Sequence, residues 1–245
     1  MLEAVNDIDA PTLVAVAHGT GDPDGVMEIH RLLEIVRSQR PDVPVVLCWL
    51  ERAQPRLAET LAEIAGPVVI VPVLLSTGYH VEIDIPSVLG TRRATVISPP
   101  LGPDERISQV VHQRLEEASS TGRKEPSGST EREDQTVILI GAGSSNPAAR
   151  VELAQAARHL EHWIQGPVAI GQLTDADPFA SAAAATRVAN YLLAPGYFDD
   201  RLRELASSKV VAGPVGAHPL VGEVICDRYA AGVNELRGAA SSPIR

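Results

Sequence analysis

The chain has 245 residues, enough for one large domain or two of ordinary size. Hydrophobic residues make up 44% of it and charged residues 21%, the balance of a soluble globular protein, and no apolar run is long enough to span a membrane. A net charge of −10 with 3% aromatic residues excludes broad nucleic-acid or anionic-membrane binding, because polyanions are repelled and there are too few rings for base stacking.

The first residues, Met1-Leu-Glu-Ala-Val-Asn-Asp, are acidic and lack the basic region and apolar core of a secretion signal. Cys48 and Cys226 are far apart and in no Cys-x-x-Cys pattern, which fits a reducing cytoplasm and gives no support for an iron–sulfur cluster or a structural zinc. Strands are predicted near Thr12–Ala17, Val43–Trp49, Val68–Val73 and Ala94–Ser98. Between and after them come helices near Gly25–Gln39, Gln54–Ala65, His80–Leu89 and Asp104–Ala118, with apolar stripes such as Leu57, Leu61 and Ile64. Residues 119–135 contain no apolar side chain and read as a flexible linker. Beyond them, strands near Thr136–Ile140, Val168–Leu173, Val188–Leu192 and Lys209–Ala212 repeat the scheme. The expected organisation is therefore a first domain over 1–118, a linker over 119–135 and a second domain over 136–245. Each is α/β, a four-stranded parallel sheet with helices on both faces.

Three loops match between the halves in the same order, which implies tandem duplication. His18-Gly-Thr-Gly-Asp-Pro pairs with Gly141-Ala-Gly-Ser-Ser-Asn-Pro, Leu74-Leu-Ser-Thr-Gly-Tyr-His80 with Leu192-Leu-Ala-Pro-Gly-Tyr-Phe198, and Pro100-Leu-Gly-Pro-Asp104 with Pro214-Val-Gly-Ala-His218. On this matching Gly141 and Phe198 stand where the first half has histidines. Charge is divided unevenly too: residues 1–118 carry 17 acidic and 9 basic side chains, residues 136–245 carry 10 and 9. An acidic half with two histidines suits cation capture, and the same acids also serve as solvated helix surface.

His18 and His80 follow apolar runs that read as buried strands, and the crevice beyond the carboxyl ends of such strands is where open α/β sheets bind ligands. Gly19 and Gly21 allow a tight turn after His18, but the loop lacks a Walker lysine, and Asp22 and Asp24 would repel phosphate, so no nucleotide is expected. Glu51, in Trp49-Leu-Glu-Arg-Ala-Gln-Pro55, falls at the same edge; capping of the following helix is its other reading. Glu82 and Asp84 are readable either as partners of the His80 imidazole or as first-turn acids favoured by the helix dipole. Two imidazoles and a carboxylate suit a divalent cation such as iron, cobalt, nickel or zinc. His30, His112, His159 and His162 lie in predicted helices without metalloprotease spacing, and no serine or cysteine has the setting of a nucleophile.

Together, His18-Gly after the first strand, Leu-Glu51-x-Ala-x-Pro, Gly-Tyr-His80-x-x-x-Asp84-Ile-Pro86 and Pro-Val-Gly-Ala-His218-Pro-Leu resemble the class II chelatases of the sirohydrochlorin chelatase family. The resemblance implies two flavodoxin-like domains across a cleft, with His18, His80 and Glu51 handling a divalent metal substrate (Fe²⁺, Co²⁺ or Ni²⁺) inserted into a tetrapyrrole without ATP. It implies work in sirohaem or cobalamin synthesis, with a porphyrin as the other candidate ring and a non-catalytic metal- or tetrapyrrole-delivery protein as the alternative. Arg52, Arg92 and Arg93 are then candidate clamps for substrate carboxylates, surface solubility being their other role, and His218 is a candidate for the cleft. The chain departs from relatives in lacking a histidine- or cysteine-rich tail and in having Val-Glu-Ile before Asp84, where basic residues are common.

Overall fold

The computed structural model describes residues 10–90, 92, 94–121 and 136–240, with the side chains of His80, Thr121 and Ala240 excepted. The acidic leader, Arg93 and residues 122–135 of the expected linker lie outside the described residues. In the first half β1 (Thr12–Ala17), β2 (Val45–Trp49), β3 (Val68–Val73) and β4 (Thr95–Ile97) form a parallel sheet in the order β2-β1-β3-β4. The helices are α1 (Pro23–Gln39), α2 (Leu57–Glu63), a π-helical turn over His80–Asp84 running into α3 (Ile85–Leu89), and α4 (Glu105–Thr121). The second half repeats this with β5 (Val137–Gly141), α5 (Pro147–Ile164), β6 (Val168–Gln172), β7 (Arg187–Tyr191), α6 (Tyr197–Leu205), β8 (Val210–Val211) and α7 (Pro219–Ala240), in the order β6-β5-β7-β8. This strand order is the flavodoxin-like one, and it leaves a crevice between the loops after the first and third strands of each sheet.

The strands are buried on both faces, so alternate residues fill different cores. Leu13, Ala15 and Ala17 of β1 point into one cluster, Val14 and Val16 into another. In β5, Val137 and Leu139 share the first cluster with β1, while Ile138 and Ile140 face a third. One continuous core therefore lies between the two sheets, and a smaller one sits on the outer face of each.

Packing divides the chain differently from the sequence. Helix α4, at the end of the first half, lies against β7, β8 and α5, while α7, at the end of the second, lies against β3, β4 and α1. Each sheet is completed by the other half's last helix. Ser108 of α4 donates to the Ala156 carbonyl (3.1 Å) in the buried interior, and Arg187 of β7 bonds Glu116 of α4 (2.5 Å). From α7, Arg228 donates to the Pro100 carbonyl (3.0 Å) and the Tyr229 hydroxyl to the Pro11 carbonyl (2.6 Å). Residue 118, the expected end of the first domain, lies within α4 (Glu105–Thr121), which packs on β7, β8 and α5 of the second half.

Two local expectations shift. The helix expected over Gln54–Ala65 starts at Leu57, because Trp49 N–H takes the Pro55 carbonyl (3.0 Å) and holds the intervening residues as a loop. The helix expected over His80–Leu89 begins as a π-turn, a widening that is frequent at functional sites.

Gly232 tests the seating of α7. A Cβ there would lie 2.5 Å from Val69 Cγ1 on β3. Gly232→Val is expected to destabilise the protein by about 1–3 kcal/mol through overpacking, read as a lowered urea midpoint. An unchanged midpoint would show that α7 does not close on the first sheet.

A candidate metal site at the carboxyl edge of the first sheet

β1 lies between β2 and β3, so the loops carrying His18, Glu51 and His80 leave from adjacent strands. The ladder between β1 and β2 continues past their ends: Leu50 N–H donates to the Ala17 carbonyl and Glu51 N–H to the His18 carbonyl, both at 2.9 Å. The first bond continues the parallel pairing one rung past the strands; the second, on the very next residue, departs from the strand alternation and joins the two loops, and together they fix the His18 and Glu51 backbones beside each other. Gly19 turns away at φ 102°, and a Cβ there would overlap the Glu51 carbonyl oxygen, so both its conformation and the close approach require glycine.

The side chains meet. His18 Nδ1 lies 3.5 Å from Glu51 Oε1 and 3.1 Å from the Gly19 carbonyl oxygen. Both neighbours are acceptors, which assigns the neutral-ring proton to Nδ1 and makes Nε2 the basic nitrogen, the arrangement of a histidine that ligates through Nε2 with a carboxylate behind it. His18 and Glu51 side chains are 41% and 42% exposed, accessible to a substrate. Arg52, at φ 62° in the left-handed region, directs Nε to Glu51 Oε1 (3.2 Å). One carboxylate oxygen is thus shared by imidazole and guanidinium.

His80 is placed by its backbone at the first position of the π-turn. Among the described residues no group of three His, Cys, Asp or Glu side chains gathers to hold a metal; His18 and Glu51 form a pair. Two residues on, Glu82 does more than occupy a first turn: its Oε2 accepts from Asn146 Nδ2 of the second half (3.0 Å). Close by, Thr77 N–H donates to Glu152 Oε2 on α5 (2.6 Å). Asp84 lines an open depression of about 290 Å³ with Trp49, Glu51, Arg56 and Val88, beside the site. Cys48, in β2 near the same edge, is fully buried with its Sγ against the Ala15 carbonyl (3.8 Å), and burial pushes its thiol up to about 12.

Two further candidates, Arg92 and His218, are engaged in local backbone contacts, and a third lies outside the described residues. The Arg92 guanidinium donates to the carbonyls of Leu61 (2.8 Å), Ile64 (2.7 Å) and Gly66 (2.9 Å), closing the end of α2 instead of reaching a ligand. Arg93 lies outside the described residues. His218 caps α7: its Nδ1 accepts from Leu220 N–H (3.2 Å). Partial burial, then the nearby Arg114, hold its pKa below the ordinary histidine value, so the ring is neutral at neutral pH and is no cationic clamp.

The second half reproduces the frame without the chemistry. Asp22 and Asn146 cap α1 and α5 in the same way, Pro23 and Pro147 follow, and Gly19 and Gly143 both have positive φ. These anchors place Ala142 opposite His18, correcting by one residue the match to Gly141. A Cβ at Gly143 would meet Thr174, as one at Gly19 would meet Glu51, which makes Thr174 the counterpart of Glu51. Phe198 corresponds to His80. All three positions with ligand chemistry in the first half carry none in the second; sequence reading found two of them and missed Thr174, whose short loop has no matching motif. The third-strand helices also differ. Asn190 donates to Asp199 (2.8 Å) and Arg203 to Asp199 (3.0 Å), pinning α6 through a largely buried network, where the first half has Pro72, Val81 and Ile85.

Residues 12–118 match the CbiX family model. The chain is 28% identical over 172 residues to a sirohydrochlorin ferrochelatase of Priestia megaterium, covering 66% of this chain and 60% of that protein. It is also 28% identical over 123 residues to a sirohydrochlorin cobaltochelatase of Methanosarcina acetivorans, covering 43% of this chain and 95% of that one. Among solved structures it resembles the chelatase SirB from Bacillus subtilis with Fe³⁺ (TM-score 0.72, 22% identity, 93% of this chain and 97% of that chain). It resembles SirB in complex with cobalt at a TM-score of 0.71 and 19% identity, again over 93% of this chain and 97% of that chain. The chain thus spans about 60% of the Priestia relative, and the solved structures speak for the fold.

Removing the carboxylate behind the imidazole tests the pair. Glu51→Gln is expected to weaken Co²⁺ binding by about 10–100-fold, as loss of a metal-site carboxylate commonly does, measured by titration calorimetry. Equal affinity in the variant would separate Glu51 from the metal.

Proposed function

We propose that the chain, whose residues 12–118 match the CbiX family model, is a sirohydrochlorin chelatase that inserts Fe²⁺ or Co²⁺ into the tetrapyrrole without ATP, for sirohaem or cobalamin synthesis. The observation that carries the reading is the His18–Glu51 pair, held at the switch point of the first sheet with Nδ1 tied to acceptors.

Insertion exchanges two pyrrole N–H protons for one divalent cation, so the ring loses two protons and gains the metal. In this reading the metal arrives as substrate at His18 Nε2, with His80 brought from the neighbouring strand, while the Glu51 carboxylate behind Nδ1 orients the ring and raises its basicity. A neutral imidazole serves both tasks near neutral pH, as a ligand that releases the metal and as a base that takes a pyrrole proton. Holding the cation at the crevice replaces an encounter of three bodies by one of two, and partial exclusion of water strips its hydration shell. Arg52 supports the reading as a clamp for a substrate carboxylate, since it stands at the site on a strained backbone and its guanidinium suits bidentate recognition. A cytoplasmic setting goes with this function and with two cysteines that stand unbridged.

Mixing the protein with sirohydrochlorin and Co²⁺ or Fe²⁺ and following the absorption spectrum tests the proposal. The wild type is expected to metallate the ring well above the uncatalysed rate, with His18→Ala and His80→Ala each slower by about 10²-fold or more, the scale of a lost general base. Stoichiometric binding without turnover would overturn catalysis in favour of a delivery protein.

A further inference from the structure

The second half's counterpart of the metal site is a surface with a chemistry of its own. In place of imidazole, carboxylate and imidazole it has the Ala142 methyl, the Thr174 hydroxyl and the Phe198 ring. Beside them Tyr197, the counterpart of Tyr79, is 74% exposed, and Phe198 is 41% exposed. Their rings meet edge to face at 5.4 Å. Of the chain's eight Phe, Tyr and Trp residues four are exposed, Tyr79, Trp163, Tyr197 and Phe198, and two of these adjoin here.

Their position ties them to the metal-bearing wall. They begin α6 directly after Gly196, and a Cβ on Gly196 would lie 3.2 Å from Thr20 Oγ1, in the loop that starts at His18. The reciprocal approach holds at the other end, where a Cβ on Gly78, before Tyr79 and His80, would lie 3.7 Å from Ser144 Oγ. The two crevices therefore open toward each other, and the aromatic pair stands at the rim shared with the His18 loop. The buried Asn190–Asp199–Arg203 network fixes the helix that presents it.

We propose that Phe198 and Tyr197, with the vacated positions Ala142 and Thr174 beside them, are the surface that receives the flat apolar face of the tetrapyrrole, opposite the wall that delivers the metal. This rests on the chelatase reading and names how that site holds its ring. A macrocycle whose charge lies in peripheral carboxylates presents an uncharged π-face at its centre, and aromatic side chains bind such faces by stacking and desolvation. A second set of ligands at this wall would hold a metal on the wrong side of the ring. Replacing them with methyl, hydroxyl and phenyl removes that competition and supplies contact area. Phe198 and Tyr197 are accordingly positioning and specificity residues for the substrate, separate from the metal ligands.

The experiment measures two affinities on each variant: metal-free sirohydrochlorin by absorption and tyrosine quenching, and Co²⁺ alone by calorimetry. Phe198→Ala is expected to weaken sirohydrochlorin binding about tenfold and raise its KM with kcat little changed, with Tyr197→Ala several-fold weaker. Both should leave Co²⁺ affinity at the wild-type value, and Phe198→Tyr should restore ring binding. Tyr197 is so exposed that its variant keeps the test available even where Phe198→Ala misfolds. Wild-type sirohydrochlorin affinity in the folded variants overturns the proposal, and so does a parallel loss of Co²⁺ binding. A wild-type protein that neither binds nor metallates sirohydrochlorin overturns the chelatase reading, and this proposal with it; a wild type that metallates the ring while the variants bind it unchanged overturns the proposal alone.

Discussion

A parallel ladder normally ends with its strands, but here two further amide–carbonyl bonds, one more rung and one between the loops, hold the chains after β1 and β2 together, and the rest of the site hangs from them. They set the separation of the His18 and Glu51 backbones before any side chain is placed. The side-chain pair itself adds little to stability: at about two-fifths exposure an ion pair is worth about 0–1 kcal/mol. The backbone, more than the pair, therefore sets the geometry of this edge. Gly19 is the point where this geometry becomes restrictive, since any side chain there would collide with the Glu51 carbonyl.

Duplication gave the chain two copies of this frame, and the copies have diverged in opposite directions. The first keeps ligand chemistry and begins its third-strand helix with a π-turn, with Pro72 and Val81 where polar anchors stand in the other half. That turn is steadied from across the crevice, by Asn146 on Glu82 and by Glu152 on Thr77. The second copy carries Ala142, Thr174 and Phe198 at these positions and has an internal anchor, Asp199, between Asn190 and Arg203. Glu28 and Glu152 occupy the same position on α1 and α5, and each accepts a backbone N–H from a loop packed against it, Ala217 and Thr77 respectively. One carboxylate position has thus been kept in both copies to join the halves.

Much of this was legible in the sequence because apolar β-branched runs and their spacing report directly on buried parallel strands. β1 and β3 fall on the residues expected, and Glu51 reaches His18 as the sheet edge implied. What failed depends on long-range contact. The stripe on α4 shows that it buries a face but carries no information about which sheet covers it. Arg92 looked like a cation near a crevice, and only the fold shows its guanidinium spent on three carbonyls of α2 and the residues after it. His218 was read for its ring and turns out to be used for one lone pair. The one-residue slip at Gly141 arose because loop lengths were matched by composition, while the glycine conformations and helix caps that define the register are visible only in three dimensions.

The exchange of α4 and α7 sets an order on the life of the molecule. The Tyr229 hydroxyl bonds Pro11 across 218 positions of sequence, so the sheet translated first is the one finished last. While the ribosome is still making the second half, β3 and β4 have no helix to cover their inner face, and the emerging chain must carry that apolar surface uncovered. Folding dominated by such distant contacts is slow and prone to aggregation. The first sheet therefore has its inner face covered only after the last helix of the chain has been synthesised.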